Sequence, residues 1–118
     1  MPISLKRAYK FSSPDDGYRV LVDKIWPRGV SKEDAALDEW KKDIAPSDDL
    51  REQFHDGTLS WGDFRNQYLS ELKEYREELR ELAERAAEEQ VTLVFGSKDL
   101  EHNNAVVVKQ YLEMLGAG

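Results

Sequence analysis

The chain predicts an α/β fold: a small, mostly parallel sheet of three or four strands packed by helices, forming a single domain over residues 1–118. Three observations carry that expectation. Val20-Leu21-Val22 and Val91–Phe95 are continuous apolar runs rich in β-branched residues, the character of strands buried on both faces. Between and after them lie segments whose apolar residues recur every three or four positions, the spacing of amphipathic helices. The order strand, helices, strand, helix then implies parallel strands with helices laid against the sheet. A chain of 118 residues is long enough to bury one core and too short for two typical ones.

Taken in order, Ile3–Tyr9 alternates loosely and predicts a first strand, followed by the turn-forming run Ser12-Ser13-Pro14-Asp15-Asp16-Gly17. Tyr18–Ile25 predicts the second strand, ended by Pro27 and Gly29. The connection between these strands is short, and a parallel crossover usually needs about a dozen residues, so a hairpin is an open alternative. Ser31 reads as a helix N-cap with Asp34 three residues on. Ala35, Leu37, Trp40 and Ile44 predict a short helix that stops before Pro46, and a second runs from Ser47 to near Gly57. Ser60 caps the longest element, an amphipathic helix over about residues 60–89. Its stripe is Trp61, Phe64, Tyr68, Leu72, Tyr75, Leu79, Leu82 and Ala86, and Glu81 is spaced to pair with Arg85. Val91–Phe95 is the third strand, and a last helix is expected from about Asn103 to Leu115, closed by Gly116.

Composition removes several function classes. Cysteine is absent, which excludes disulfides, thiolate nucleophiles and Cys-ligated metals. No run approaches the ~20 apolar residues of a membrane helix, and Met1–Arg7 has no signal-peptide character, so a cytoplasmic protein with no membrane partner is expected. The net charge of −7 argues against nucleic acid as partner. Its distribution is uneven: seven Lys and Arg against three Asp through Lys32, and ten against twenty-one acidic residues after it. Such a split fits a local anion site inside an acidic protein, or simply a Glu-rich solvated helix.

In open parallel sheets ligands bind beyond the carboxyl ends of the strands. Candidate site residues there are Arg7 and Tyr9 after the first strand, Asp23, Trp26 and Arg28 after the second, and Ser97, Lys98, His102 and Asn103 after the third. Arg offers a planar fork, Lys a point charge and a helix start its dipole, which together suit a phosphate or carboxylate. Arg28 stands between Pro27 and Gly29, held either for an anion or to brace Asp23 or Asp38. Trp26 is a pocket wall or a core residue. His102 and Asp23 are the candidates for moving a proton; alternatively Asp23 binds a metal or pairs with a Lys or Arg, and His102 is a cap or surface residue, while His55 reads as a partner for a helix C-terminus. No dinucleotide fingerprint, Walker A loop, zinc-protease motif or nucleophile elbow is present, no cofactor is implied, and no spacing marks a metal site.

These residues also resemble a known family. Arg7-x-Tyr9, then Asp16 through Lys32 with its Trp26-Pro27-Arg28-Gly29 core, are similar to the signature of the bacterial and archaeal YeaO-like family, the short branch of domain-of-unknown-function family 488. The similarity continues through Leu37-Asp38-x-Trp40, Lys42–Ser47, Phe64, Tyr68, Leu72, Val91–Phe95 and Lys98-Asp99-x-x-His102-Asn103-x-Ala105-Val106-Val107. Lys24 stands where the family usually has Arg, Ser13 where it often has Pro, and Gln53–Asp56 fits loosely. The resemblance implies a small α/β fold and supplies no activity. The resemblance implies that longer relatives carry a Cys-His-Arg cluster near the start of the last helix, where this chain has His102-Asn103-Asn104 and no Cys, so thiol chemistry does not transfer.

The functional expectation is an anion-binding α/β domain, either an enzyme or a ligand-binding domain, taking a phosphate- or carboxylate-containing small molecule. Arg28 and Lys98 would hold the anion, and Ser97 and the last helix's first amides would donate to it. The alternative is a non-catalytic module docking a protein partner through the acidic face of the long helix at Glu77, Glu78, Glu81 and Glu84.

Overall fold

In the computed structural model, which describes residues 3–116, the run Val91–Phe95 (β4) forms the centre of the sheet with all five side chains buried. Ile3–Arg7 (β1) lies on one side of it and Tyr18–Leu21 (β2) on the other. The two-residue strand Glu39–Trp40 (β3) flanks β2, giving the order β1-β4-β2-β3 with every pair parallel. The fold class is as the sequence predicts. The hairpin is not formed, because β4 inserts between the first two strands. Spanning two strand spacings needs about 10 Å and returning along a five-residue strand about 16 Å. Ten extended residues reach about 33 Å, so Ala8–Gly17 suffices for the crossover. Gly17 is required at its end: at φ 64° it passes so close to Gln90 that a Cβ would lie 2.1 Å from the Gln90 carbonyl oxygen.

Strand alternation divides the core in two. Ile3, Val20, Val22, Val91, Leu93 and Phe95 face a three-helix layer, Trp61–Leu72 (α3), Arg76–Glu88 (α4) and Asn104–Met114 (α5). Leu21 and Val94 face the opposite way, under a thin cover of loops that includes Trp26 and Leu37. The centre of that cover is Asp16, in a 3₁₀ turn at Pro14–Asp16 capped by Ser13. Its carboxylate takes Lys6 Nζ at 2.8 Å and the buried Arg19 Nη1 at 2.6 Å, and its carbonyl accepts the Thr92 hydroxyl at 2.7 Å. Burial alone would raise the Asp16 pKa, but bonds from Lys6, the Ser13 amide and Arg19 outweigh that and hold it below the usual value. Arg19 spends its remaining donors on the Ala35 carbonyl at 3.1 and 2.8 Å.

Four sequence expectations are corrected. The helix expected through Ala35, Leu37, Trp40 and Ile44 is only Lys32–Ala35 (α1), ended by Ala36 at φ 47°, then β3 and a 3₁₀ turn at Lys42–Ile44. The open edge of β2 captures this stretch: Asp38 and Lys41 N–H donate to the Arg19 and Leu21 carbonyls, both at 2.9 Å. Ladder bonds available only in the folded chain override a local helical pattern. The helix over residues 60–89 is helical throughout but broken by a 3₁₀ turn at Lys73–Tyr75, after which Tyr75 (φ −109°, ψ 24°) starts a new axis. Both halves still bury the expected stripe. Arg85 pairs with Glu89 at 3.1 Å and lies 4.0 Å over the Tyr18 ring, in place of the expected Glu81 pair. Glu78 points inward to Lys41 at 2.8 Å, so it is not part of a free acidic face. The helix after Ser47 forms as predicted, at Asp48–His55 (α2).

Candidate functional site

A parallel sheet brings the ends of its strands and the loops that follow to one edge. At that edge Asp23, just past β2, is largely buried. Its Oδ2 accepts the Gly96 amide at 2.7 Å and its Oδ1 the Asn104 side-chain amide at 3.1 Å. Burial pushes its pKa up, and these two neutral donors only partly offset that. Gly96 permits this approach, since a Cβ there would meet Asp23 Oδ2 at 3.3 Å.

The loop from β4 to α5 is held rather than free. Arg7 Nε donates to the Ser97 carbonyl at 2.8 Å and Nη2 to the Gly96 carbonyl at 3.3 Å, with its guanidinium 4.9 Å over the Tyr9 ring. The Asp99 amide donates to Ser97 Oγ at 3.1 Å. Asp99 Oδ1 in turn accepts the Glu101 and His102 amides, both at 2.9 Å, and those bonds hold its carboxyl below the usual range. Asn103, buried, caps α5 by accepting the Val106 amide at 3.0 Å and donates to the Asp99 carbonyl at 2.8 Å. His102 stacks on Trp61 with centroids 4.8 Å apart and planes at 21°, and its Nδ1 lies 3.7 Å from Asp99 Oδ2.

Between this loop and α2 lies a cavity of about 550 Å³. Phe54 and Phe64, stacked at 4.4 Å, and Ile25 give it an apolar wall, and Asp23, Arg51, His55, Lys98, Asp99 and His102 charged or titratable groups. Lys24 also lines it but is bound to Asp48 at 2.7 Å. Arg51 reaches the same carboxylate only at 3.9 Å, and its buried Nε has no hydrogen-bond partner. Among the described residues no three His, Asp or Glu side chains converge as a metal site.

The fold therefore brings together Asp23, Ser97, Lys98, His102 and Asn103 from the predicted set. Arg7 and Tyr9 adjoin the site without lining it, Arg7 acting on the loop backbone. Trp26 and Arg28 lie elsewhere. Trp26 packs with Leu21 and Val94 on the other face of the sheet, edge-on to Trp40 at 5.4 Å, and its Nε1 donates to the Val30 carbonyl at 2.7 Å. Arg28 is exposed in the turn that follows and does not line the cavity. Sequence reasoning missed Arg51, Phe54 and Phe64 and read His55 as a helix-end partner. Arg51 and His55 share one face of α2 at a four-residue spacing, the one signal available. That this face overlies the sheet edge is a long-range fact.

The family model described as "Inactive DUF488-N3 subclade" matches residues 2–116. The chain belongs to the DUF488 family. Members similar to it include the uncharacterised protein YeaO of Escherichia coli (strain K12), 44% identical over 115 residues that cover 98% of this chain and all of that protein. Uncharacterised proteins of Mycobacterium bovis and Mycobacterium tuberculosis are 38% identical over 112 residues, 93% of this chain and 92% of theirs. No solved structure matches the chain significantly. The family membership agrees with the resemblance of the Trp26–Gly29 block and its neighbours. Among the described residues no helix is long and apolar enough to cross a membrane.

Proposed function

We propose that the chain is a binding domain for a small organic anion, a carboxylate or phosphate ester with a flat apolar body, which it holds in the cavity at the carboxyl edge of the sheet. The observation that carries this reading is the composition of that cavity: about 550 Å³, with the stacked Phe54 and Phe64 rings on its lining together with the cations Arg51 and Lys98. Small-molecule sites are typically about 300–1,000 Å³, mostly apolar, with a few placed polar groups. Arg51 takes the part expected of Arg28, and the stacked His102 ring extends the aromatic wall through Trp61.

Binding without turnover is the better form of the reading. The chain has no cysteine to serve as a thiol nucleophile, and its subclade is described as inactive. The absence of cysteine and of long apolar runs fits work in the cytoplasm.

The test is calorimetric titration with 3-phenylpropanoate and phenyl phosphate. Wild type should bind at least one of them, and Arg51→Ala and Lys98→Ala should each weaken it about tenfold, the loss of one charge-assisted hydrogen bond. Arg28→Ala should bind as wild type does. No binding of either probe to the wild type, or undiminished binding to Arg51→Ala, removes the reading.

A further inference from the structure

The carboxylates of this protein are not treated alike. Asp16 is met by Lys6 and Arg19, Glu39 and Glu78 by Lys41, and Asp48 by Lys24. Asp23 is more buried than Glu39, Glu78 or Asp48, yet its two hydrogen bonds come from neutral amides, and no cation of the described residues lies within ion-pair distance. A carboxylate oxygen has two acceptor positions, so two of Asp23's roughly four are still unused. They belong to a residue that lines the cavity. On the same cavity stand two cations, Arg51, whose nearest carboxylate is Asp48 at 3.9 Å, and Lys98.

An anion alone meets Asp23 as a like charge and leaves its free acceptor positions unused. An ammonium alone meets Arg51 and Lys98 in the same way. A molecule carrying both charges satisfies both ends, and its body lies along Phe54 and Phe64. Deepening the reading above and resting on it, we propose that the ligand is zwitterionic: a primary amine held by Asp23, a carboxylate or phosphate held by Arg51 and Lys98, and a flat apolar group against the two phenylalanines. A free amino acid with an aromatic side chain belongs to this chemical class. Burial of an unpaired carboxylate costs stability in the empty protein, and the ligand's ammonium offsets that cost on binding.

The experiment compares three probes that share one ring: L-phenylalanine, 3-phenylpropanoate, which lacks the amine, and 2-phenylethylamine, which lacks the acid. Titrated calorimetrically into the wild-type chain at pH 7, L-phenylalanine should bind at least about tenfold more tightly than either of the others, as expected for one added charge-assisted contact. Asp23→Asn keeps the shape and an acceptor for the Gly96 amide, and should collapse the ratio of L-phenylalanine to 3-phenylpropanoate towards one. If 3-phenylpropanoate binds the wild type as tightly as L-phenylalanine, the zwitterion inference is overturned while the anion reading stands. The same holds if the preference survives Asp23→Asn. If neither acid binds, the zwitterion inference falls, and the anion reading falls with it when phenyl phosphate does not bind either. Should Asp23→Asn fail to fold, the wild-type ratio alone decides.

Discussion

Asp16 and Asp23 flank the same strand, and each anchors one end of the sheet, but they sit in opposite electrostatic settings. Asp16, under the thin loop cover, takes two cations and the Ser13 amide, and its pKa is held down. Asp23, at the edge of the helical layer, takes two neutral amides and its pKa is pushed up. The difference separates two uses of a buried charge. Where loops must be pinned to a sheet without a large apolar core, an ion-pair network fixes their position. Where the carboxylate lines the cavity it has only neutral donors and no cation, which costs stability and is the arrangement on which the binding proposal rests.

The largest effect should come from breaking the first arrangement. Asp16→Ala leaves the Arg19 guanidinium buried without its carboxylate and should cost about 3–5 kcal/mol, read as a lowered midpoint in urea denaturation. The pH dependence has a definite sign. With a folded pKa below the ordinary aspartate value of 3.8, Asp16 adds stability that is present above that value and lost as pH falls through the folded one. The gap between wild type and Asp16→Ala should therefore narrow in acid.

On the helix-covered face, Leu93→Ala removes a fully buried side chain from the apolar core and should cost about 2–5 kcal/mol. That loss should be insensitive to salt and, relative to Asp16→Ala, to pH. An equal acid sensitivity of the two variants would break the contrast between the faces.

Trp26→Phe tests the thin cover from another side. It keeps a ring against Leu21 and Val94 but deletes the donor to the Val30 carbonyl, and should cost about 1–2 kcal/mol by the same measurement. It should leave binding in the cavity unchanged, since Trp26 lies on the other face of the sheet.

Asp23→Asn should have the smallest effect, and of opposite sign. A carboxyl whose folded pKa lies above its unfolded value destabilises the fold at neutral pH, and that penalty disappears as pH falls through the folded value towards 3.8. Removing the charge should raise the melting temperature at pH 7, with the gain fading in acid. A lower melting temperature at pH 7 would place Asp23 with Asp16 as a structural charge.

Much of the architecture is legible in the sequence because it rests on local periodicity. Val91–Phe95 has to be strand-like and central, since all five of its residues are apolar or β-branched and both faces need cover. Ser31, Ser47, Ser60 and Asn103 each accept a backbone amide at the helix start where their residue type places them. The 3₁₀ turn at Lys73–Tyr75 has no Gly or Pro to signal it, and β3 overrides a helical pattern because the edge of β2 offers bonds that Glu39 and Trp40 cannot find locally.

For the site, the sequence identifies the residues just past β2 and β4 as candidates, because chain order and parallel strands put their carboxyl ends on one edge. It cannot say on which face of the sheet each side chain emerges. Trp26 turns to the thin face and Arg28 is exposed outside the cavity, while Asp23 remains with it. Arg51, Phe54 and Phe64 enter the cavity from helices whose placement depends on packing across the core. Strand order, the crossover that splits β1 from β2 and the pairing or isolation of each buried carboxylate are decided by the tertiary structure. Each depends on free energy gained between residues far apart in the chain, and local propensity carries no record of it.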